Sequence, residues 1–192
     1  MRLCTASLHM GREDTVQLLM ECVKDGHLVK HCLATGAMMK ATALHLNEPP
    51  LTWEEIGILH DIDYELVQGD MQRHGVEGER ILREHGIDPG TVAFVWRHND
   101  YLQETGYIRP VEIALQAADS ASGLIIACAL VKGGRLSDVT PTTVIKTAKD
   151  KGFATGCNRD RIALIARIMQ ISDFYRLAIS GMLDIKEEVG LW

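Results

Sequence analysis

Apolar positions along this chain recur at helical spacing. In residues 12–25 (REDTVQLLMECVKD) acids lie early, and Val16, Leu19, Met20 and Val23 fall on one stripe. That pattern predicts a helix, stopped by Gly26. Residues 27–47 predict a second, with Leu33, Ala37, Met38, Ala41 and Leu44 on its apolar face and a break at Asn47-Glu48-Pro49-Pro50. In TWEEI, Thr52 stands as a cap with Glu55 at the capping-box position, opening a helix that reaches Leu59 to Asp61. Residues 64–72 predict a loop, and 73–85 a helix stopped by Gly86. Asp88-Pro89 starts another helix, to residue 99, and residues 100–109 predict a loop. Pro110 sits at the first turn of a long helix to Lys132, stopped by Gly133-Gly134. Thr140-Pro141, Asn158 and Ser172 open three more, ending near Lys149, Gln170 and Glu188. No strand pattern, repeat or low-complexity tract interrupts the series. The chain reads as all-α, a single domain over residues 1–192 with 133–192 as a C-terminal helical extension.

Composition agrees. The 192 residues are 46% apolar and 24% charged, ordinary for a soluble globular chain, and suffice for one sizeable core. Aromatics are only 5%, which favours helix packing over a sandwich. The formal charge of −6 argues against a general nucleic-acid surface, though a few Lys or Arg residues or metal ions can still hold a small phosphate ester. Five cysteines, Cys4, Cys22, Cys32, Cys128 and Cys157, include no CxxC pair. Three of them, Cys22, Cys32 and Cys128, sit in apolar helical stretches as buried thiols, so the expected setting is a reducing cytoplasm. MRLCTASLHMGRED does not read as a signal peptide. The longest apolar run, Gly123 to Val131, falls short of the ~20 residues a bilayer span needs.

Candidate chemistry concentrates in a few places. GILHDIDYE (57–65) runs from apolar residues into His60 and the acids Asp61, Asp63 and Glu65. Adjacent residues point about 100° apart on a helix, so His60 and Asp61 converge on one ion only where the helix ends. Asp119 lies mid-helix in the most apolar segment, with no Lys or Arg between Pro110 and Val131. A buried carboxylate there needs a positive partner, and a metal ion would serve. His31 reads either as a satisfied core residue or as a ligand. His9, His27, His45 and His85 read as surface or capping residues.

His31, then His60-Asp61, then Asp119 resemble the H…HD…D pattern of the HD-domain metal-dependent phosphohydrolases, whose fold is an all-α bundle. DMQRHGVEGERILREHGI (70–87) and FVWRHND (94–100) are similar to segments that supply two extra histidines in two-metal members, and AADSASGLIIA (117–127) to the last-aspartate helix. DKGFATGCNRDRI (150–162) resembles the tail of a subgroup of small bacterial and archaeal HD proteins. The resemblance implies one metal on His31, His60, Asp61 and Asp119, and a second on His74 and His98 with Asp61 bridging. Imidazole with carboxylate suits Fe, Mn, Zn, Co or Ni better than Mg or Ca. The implied activity is hydrolysis of a small phosphorylated substrate, such as a nucleotide, by one or two such ions.

One departure stands out. Many two-metal relatives read HDIGK, whereas this chain reads HDIDY, with Tyr64 at the Lys position. Asp63 and Glu65 are candidate acid–base groups, or else they orient ligands from behind. Arg73 and Arg97, each preceding a histidine, are candidate phosphate-binding residues or plain surface charges. Lys146, Lys149, Lys151, Arg159 and Arg161 form a basic tail, read as a solvated face or as a collar for a phosphorylated substrate. Two non-hydrolytic readings remain open: a nucleotide- or metal-binding signalling domain with this fold, and a purely structural metal site.

Overall fold

The computed structural model describes residues 10–102 and 105–192, so the expectations for Cys4, His9 and the first residues lie outside the described part. Every regular element among the described residues is helical. They are α1 (Arg12–Cys22), α2 (Gly26–Leu46), α3 (Pro50–Leu59), α4 (Tyr64–Val67), α5 (Val76–Glu84), α6 (Pro89–Arg97), α7 (Pro110–Val131), α8 (Pro141–Ala148), α9 (Arg159–Ala163) and α10 (Ile171–Asp184).

α2 is the central post. It packs against α3, α7 and α10, and every residue from Cys32 to Met39 is buried. A helix apolar on all sides belongs inside a fold. The single stripe expected of it is therefore too narrow: Leu44, assigned to that stripe, is exposed, as is Met20 on α1. Three glycines let the backbones close in. A Cβ on Gly57 would lie 2.7 Å from Gly36 Cα, and one on Gly36 would lie 2.6 Å from Ile58 Cγ1. On the other side, a Cβ on Gly181 of α10 would lie 2.5 Å from the Ala37 carbonyl oxygen. Both histidine-bearing elements, α2 with His31 and the end of α3 with His60, are thus fixed by one bare crossing.

Several boundaries differ from expectation, each for a local reason. α3 starts at Pro50, ahead of Thr52, with proline's fixed φ in its first turn, so Thr52 is inside the helix and is not its cap. Glu55, buried within the helix, accepts from Thr91 Oγ1 of α6 at 3.0 Å. Segment 64–72 is not all loop: Tyr64–Val67 makes one helical turn, ended by Gln68 in the left-handed region. α5 begins only at Val76, after Gly75 at φ 85°. α10 opens at Ile171 after Gln170, so Ser172 is not a cap. Asp88, Thr140 and Asn158 do accept from backbone N–H groups one turn on, as their positions predict. The helix opened by Asn158 gives way after Ala163 to a tighter turn over residues 164–167.

α7 exceeds the apolar run that first marked it. It is long and apolar enough to cross a bilayer by length and composition, yet 67% of its most apolar stretch is buried inside the fold. The extension beyond residue 132 packs back on the bundle, α10 on α2, and α8 and α9 on α7. Cys32 and Cys128 are buried free thiols; Cys22, expected to be buried, is only half-buried because it lies at the end of α1.

The glycine crossing yields a stability prediction. Gly57→Ala forces α2 and α3 apart and lowers the unfolding free energy by roughly 1–3 kcal/mol, measured by urea denaturation. Gly123→Ala on α7, where a Cβ meets nothing within 4 Å, is the contrast; it leaves stability unchanged or raises it by up to about 1 kcal/mol.

Candidate metal centre

Four imidazoles and two carboxylates converge where α2, the end of α3 and α7 meet the turns after α4 and α6. His31 comes from α2, His60 and Asp61 from the end of α3, and Asp119 from α7. His74 stands before α5 and His98 follows α6. His60, His74 and His98 are buried.

Each ring is held by its Nδ1. His60 Nδ1 donates to the Gly57 carbonyl at 2.8 Å, and His98 Nδ1 donates to the Val95 carbonyl. His74 Nδ1 donates to Asp63 Oδ1 at 2.8 Å. The hydroxyl of Ser122 donates to the Asp119 carbonyl, so its oxygen accepts from His31 Nδ1 at 2.8 Å. With every Nδ1 carrying a proton, all four Nε2 lone pairs face inward. They meet in pairs, His31 with His60 at 3.2 Å and His74 with His98 at 2.9 Å.

Asp61 lies between the pairs. Its Oδ2 is 3.5 Å from His31 Nε2 and 3.3 Å from His60 Nε2. Its Oδ1 is 3.4 Å from His74 Nε2 and 3.3 Å from His98 Nε2. Asp119 Oδ1 adds to the first pair, 3.3 Å from His31 and 3.8 Å from His60. Ligands at about 2.0–2.1 Å from an ion sit about 3.0 Å apart at 90° and about 3.4 Å apart at the tetrahedral angle. The observed spacings have the size of such polyhedron edges. Facing lone pairs and partly buried carboxylates repel one another unless cations stand between them. The donor set therefore fits divalent metal, with His31, His60 and Asp119 grouped on one side and Asp61, His74 and His98 on the other.

Without metal, protons take that place. Burial opposes charge on His31, but hydrogen bonds to Asp119 and Asp61 prevail and push it up to about 9. His74 also rises to about 9, against burial, through Asp61 and Asp63. His60 is held well above its ordinary value, its burial outweighed by Asp61 and Asp119. Burial works against ionised Asp61 and Asp119 too, yet the neighbouring imidazoles hold both below the usual carboxylate range. Cys32 comes close to His60 and Asp61, and in the metal-free protein burial and then the two carboxylates push its thiol well up.

The other acids and arginines of the sequence reading have different tasks. Asp63 is fully buried and accepts from His74 Nδ1, Gly75 N and Gly78 N, which leaves it no free oxygen for acid–base work. It ties the His74 turn to the HD turn. Glu65 accepts from the backbone N–H groups of Lys24 and Asp25 and so joins α4 to the α1–α2 corner. Arg73 is exposed and pairs with Glu77 on its own helical turn. Arg97 pairs with buried Glu112 at 2.6 Å. Asp63 touches the cluster only through the Nδ1 side of His74, while Glu65, Arg73 and Arg97 are bonded to the Lys24–Asp25 backbone, Glu77 and Glu112.

Asn99, Tyr107 and Gln116, which the sequence did not single out, support the histidine turns, and two arginines of the basic tail take definite places. Asn99 Nδ2 donates to the carbonyls of Met71 and His74, joining the two histidine turns. The His98 carbonyl accepts from Tyr107 Oη and Gln116 Nε2. Asp119, expected to face a positive group that its own helix does not supply, meets Arg161 of the extension, which lies 3.4 Å from its Oδ2 and 2.6 Å from Asp100. Within the basic tail Arg159 turns inward, donating to the carbonyls of Ala148, Asp150, Phe153, Ala154 and Cys157.

Residues 28–129 match the family model of the HD domain, just over half of the chain. This chain belongs to the HD-domain family of metal-dependent phosphohydrolases. No curated protein and no solved structure matches it significantly. All six donors of the cluster lie inside the matched HD domain, with His60-Asp61 as its central pair. Arg161 and the loop clamped by Arg159 lie outside it.

Two outcomes follow for metal binding. Because protons occupy imidazoles whose values reach about 9, metal uptake releases protons, and apparent affinity climbs as pH rises from 6 towards 9. Calorimetry of metal-free protein in buffers of different ionisation enthalpy measures both. Ser122→Ala frees the His31 ring and weakens the half of the centre that holds it by roughly 10–100-fold in chelator competition, leaving the His74 half near wild type.

Proposed function

We propose that this chain hydrolyses a small phosphate ester, such as a nucleotide, at the cluster centred on Asp61. The observation that carries this reading is the set of four inward Nε2 lone pairs, with one oxygen of Asp61 turned to each pair. Such a donor set suits one or two transition-metal ions, Fe, Mn, Zn, Co or Ni. Bound there, the ions would supply a nucleophilic water at neutral pH and Lewis acidity for a phosphoryl oxygen.

The protein's part is positioning. Asp61 fixes the separation of the two halves, while Gly57, Val95, Asp63 and Ser122 prevent the rings from turning. Asp63 takes the orienting role rather than the acid–base role, and Arg161, paired with Asp119, takes the phosphate-binding place expected of Arg73 and Arg97. The position of the HDIGK lysine is held by Tyr64, whose ring stands edge-on to His74 with centroids 5.3 Å apart. The substrate is thus held without a lysine from that turn. Free buried thiols suit a reducing, cytoplasmic setting, and the acidic chain suits a small soluble substrate over a nucleic acid.

The test is metal content together with phosphate release. Wild-type protein loaded with Mn, Fe, Co, Ni or Zn binds up to two ions per chain and releases phosphate from a panel of monoesters. Asp61→Ala retains its helical circular dichroism, loses metal, and drops at least 1000-fold in turnover. Full metal-dependent turnover in Asp61→Ala would overturn the assignment. Tight nucleotide binding without any product would transfer it to the binding-domain reading.

A further inference from the structure

A groove of about 580 Å³ opens directly from the cluster, with His31, Asp119 and Arg161 at one end. Its floor is one face of α7, where Asp119, Gly123 and Ala127 follow at intervals of four residues, about 12 Å along the helix axis. Its wall is the 154–157 loop of the extension. Away from the cluster end no charged side chain lines it, and Cys157 is the one other titratable group.

Gly123 is the telling residue. Gly36, Gly57 and Gly181 permit helix crossings, but at Gly123 a Cβ would meet nothing within 4 Å. A glycine inside a helix costs about 0.5–1 kcal/mol relative to alanine. No packing contact requires it here; what the missing side chain leaves is open groove. The opposite wall is preformed, since the guanidinium of Arg159 fastens the loop through five carbonyls. At the cluster end the Nε–H of Arg161 is buried without an acceptor among the described residues.

We infer that this groove is the subsite for the uncharged organic part of the substrate, a group of nucleoside size, with the phosphoryl group at the Asp119–Arg161 end. The extension, which lies outside the matched HD domain, thereby sets selectivity among phosphate esters. The volume lies in the range of small-molecule sites, and an uncharged wall disfavours a second phosphate or a polyanionic chain there. This inference rests on the hydrolase reading for its orientation, but its test does not depend on turnover.

The probes are phosphonate analogues of the four nucleoside monophosphates, which lack the scissile P–O bond, and methylphosphonate. Each is titrated calorimetrically into Mn-loaded wild-type protein, Gly123→Leu and Ala127→Leu. In wild type, at least one nucleoside phosphonate binds tenfold or more tighter than methylphosphonate. Gly123→Leu fills the groove and removes that margin, with metal content retained and methylphosphonate affinity within twofold. Ala127→Leu, one turn further along, gives the same loss and guards against a folding defect in the first variant. The inference fails if no nucleoside phosphonate outbinds methylphosphonate, or if both leucine variants keep the wild-type margin. Phosphate release from wild type is read separately: its absence with the margin intact removes the hydrolase reading and leaves the subsite.

Discussion

Asp61 is a partly buried carboxylate with two imidazole lone pairs on either side, and a group in that position is tolerable only when positive charge is shared around it. Much of the surrounding structure serves that condition. The rings cannot rotate to point N–H groups at the carboxylate, because each Nδ1 is already committed to a carbonyl, a hydroxyl or Asp63. What remains is to admit cations, protons in the metal-free protein and metal ions in the loaded one. The same network accounts for imidazoles displaced upwards and carboxylates displaced downwards together.

Holding six donors to such spacings requires a rigid frame. The frame is built from close backbone contact more than from large side chains. α2 meets α3 through Gly36 and Gly57, and meets α10 through Gly181, so His31 and His60 sit on helices with little freedom to slide. The second histidine pair comes from turns, which are softer. Polar bonds do the corresponding work there: Asp63 joins the HD turn to the His74 turn, and Asn99 joins the His74 turn to the His98 turn. One half of the centre is thus fixed by packing and the other by hydrogen bonds.

The extension closes the arrangement from outside the HD domain. Arg161 gives Asp119 the protein cation that α7 lacks, and Arg159 spends its donors on a single loop. Two arginines two positions apart thereby do unlike things, one at the cluster and one as an internal clamp. A charge count along the tail cannot separate them, since both roles need a guanidinium.

The all-α character, the helix starts at Asp88, Thr140 and Asn158, and the ionisable groups His60-Asp61 and Asp119 stand out in the sequence itself, whereas His31, His74 and His98 join them only through the resemblance to the HD-domain pattern. Caps and apolar spacing act over a few residues, and ionisable groups inside apolar stretches are conspicuous because burying them is costly. The same local reasoning misplaced the caps at Thr52 and Ser172, because a proline in the first turn, or tertiary packing, can start a helix earlier than a hydroxyl suggests. It also left Asp63, Glu65, Arg73 and Arg97 as candidates for chemistry. Their partners, His74 and Gly78, the Lys24–Asp25 corner, Glu77 and Glu112, became known only from the fold. Sequence alone determined which residue types could gather at a metal, since that depends on their own chemistry. Only the tertiary structure decided which atoms face inward, where Arg161 reaches and where the groove lies, because those depend on neighbours distant along the chain.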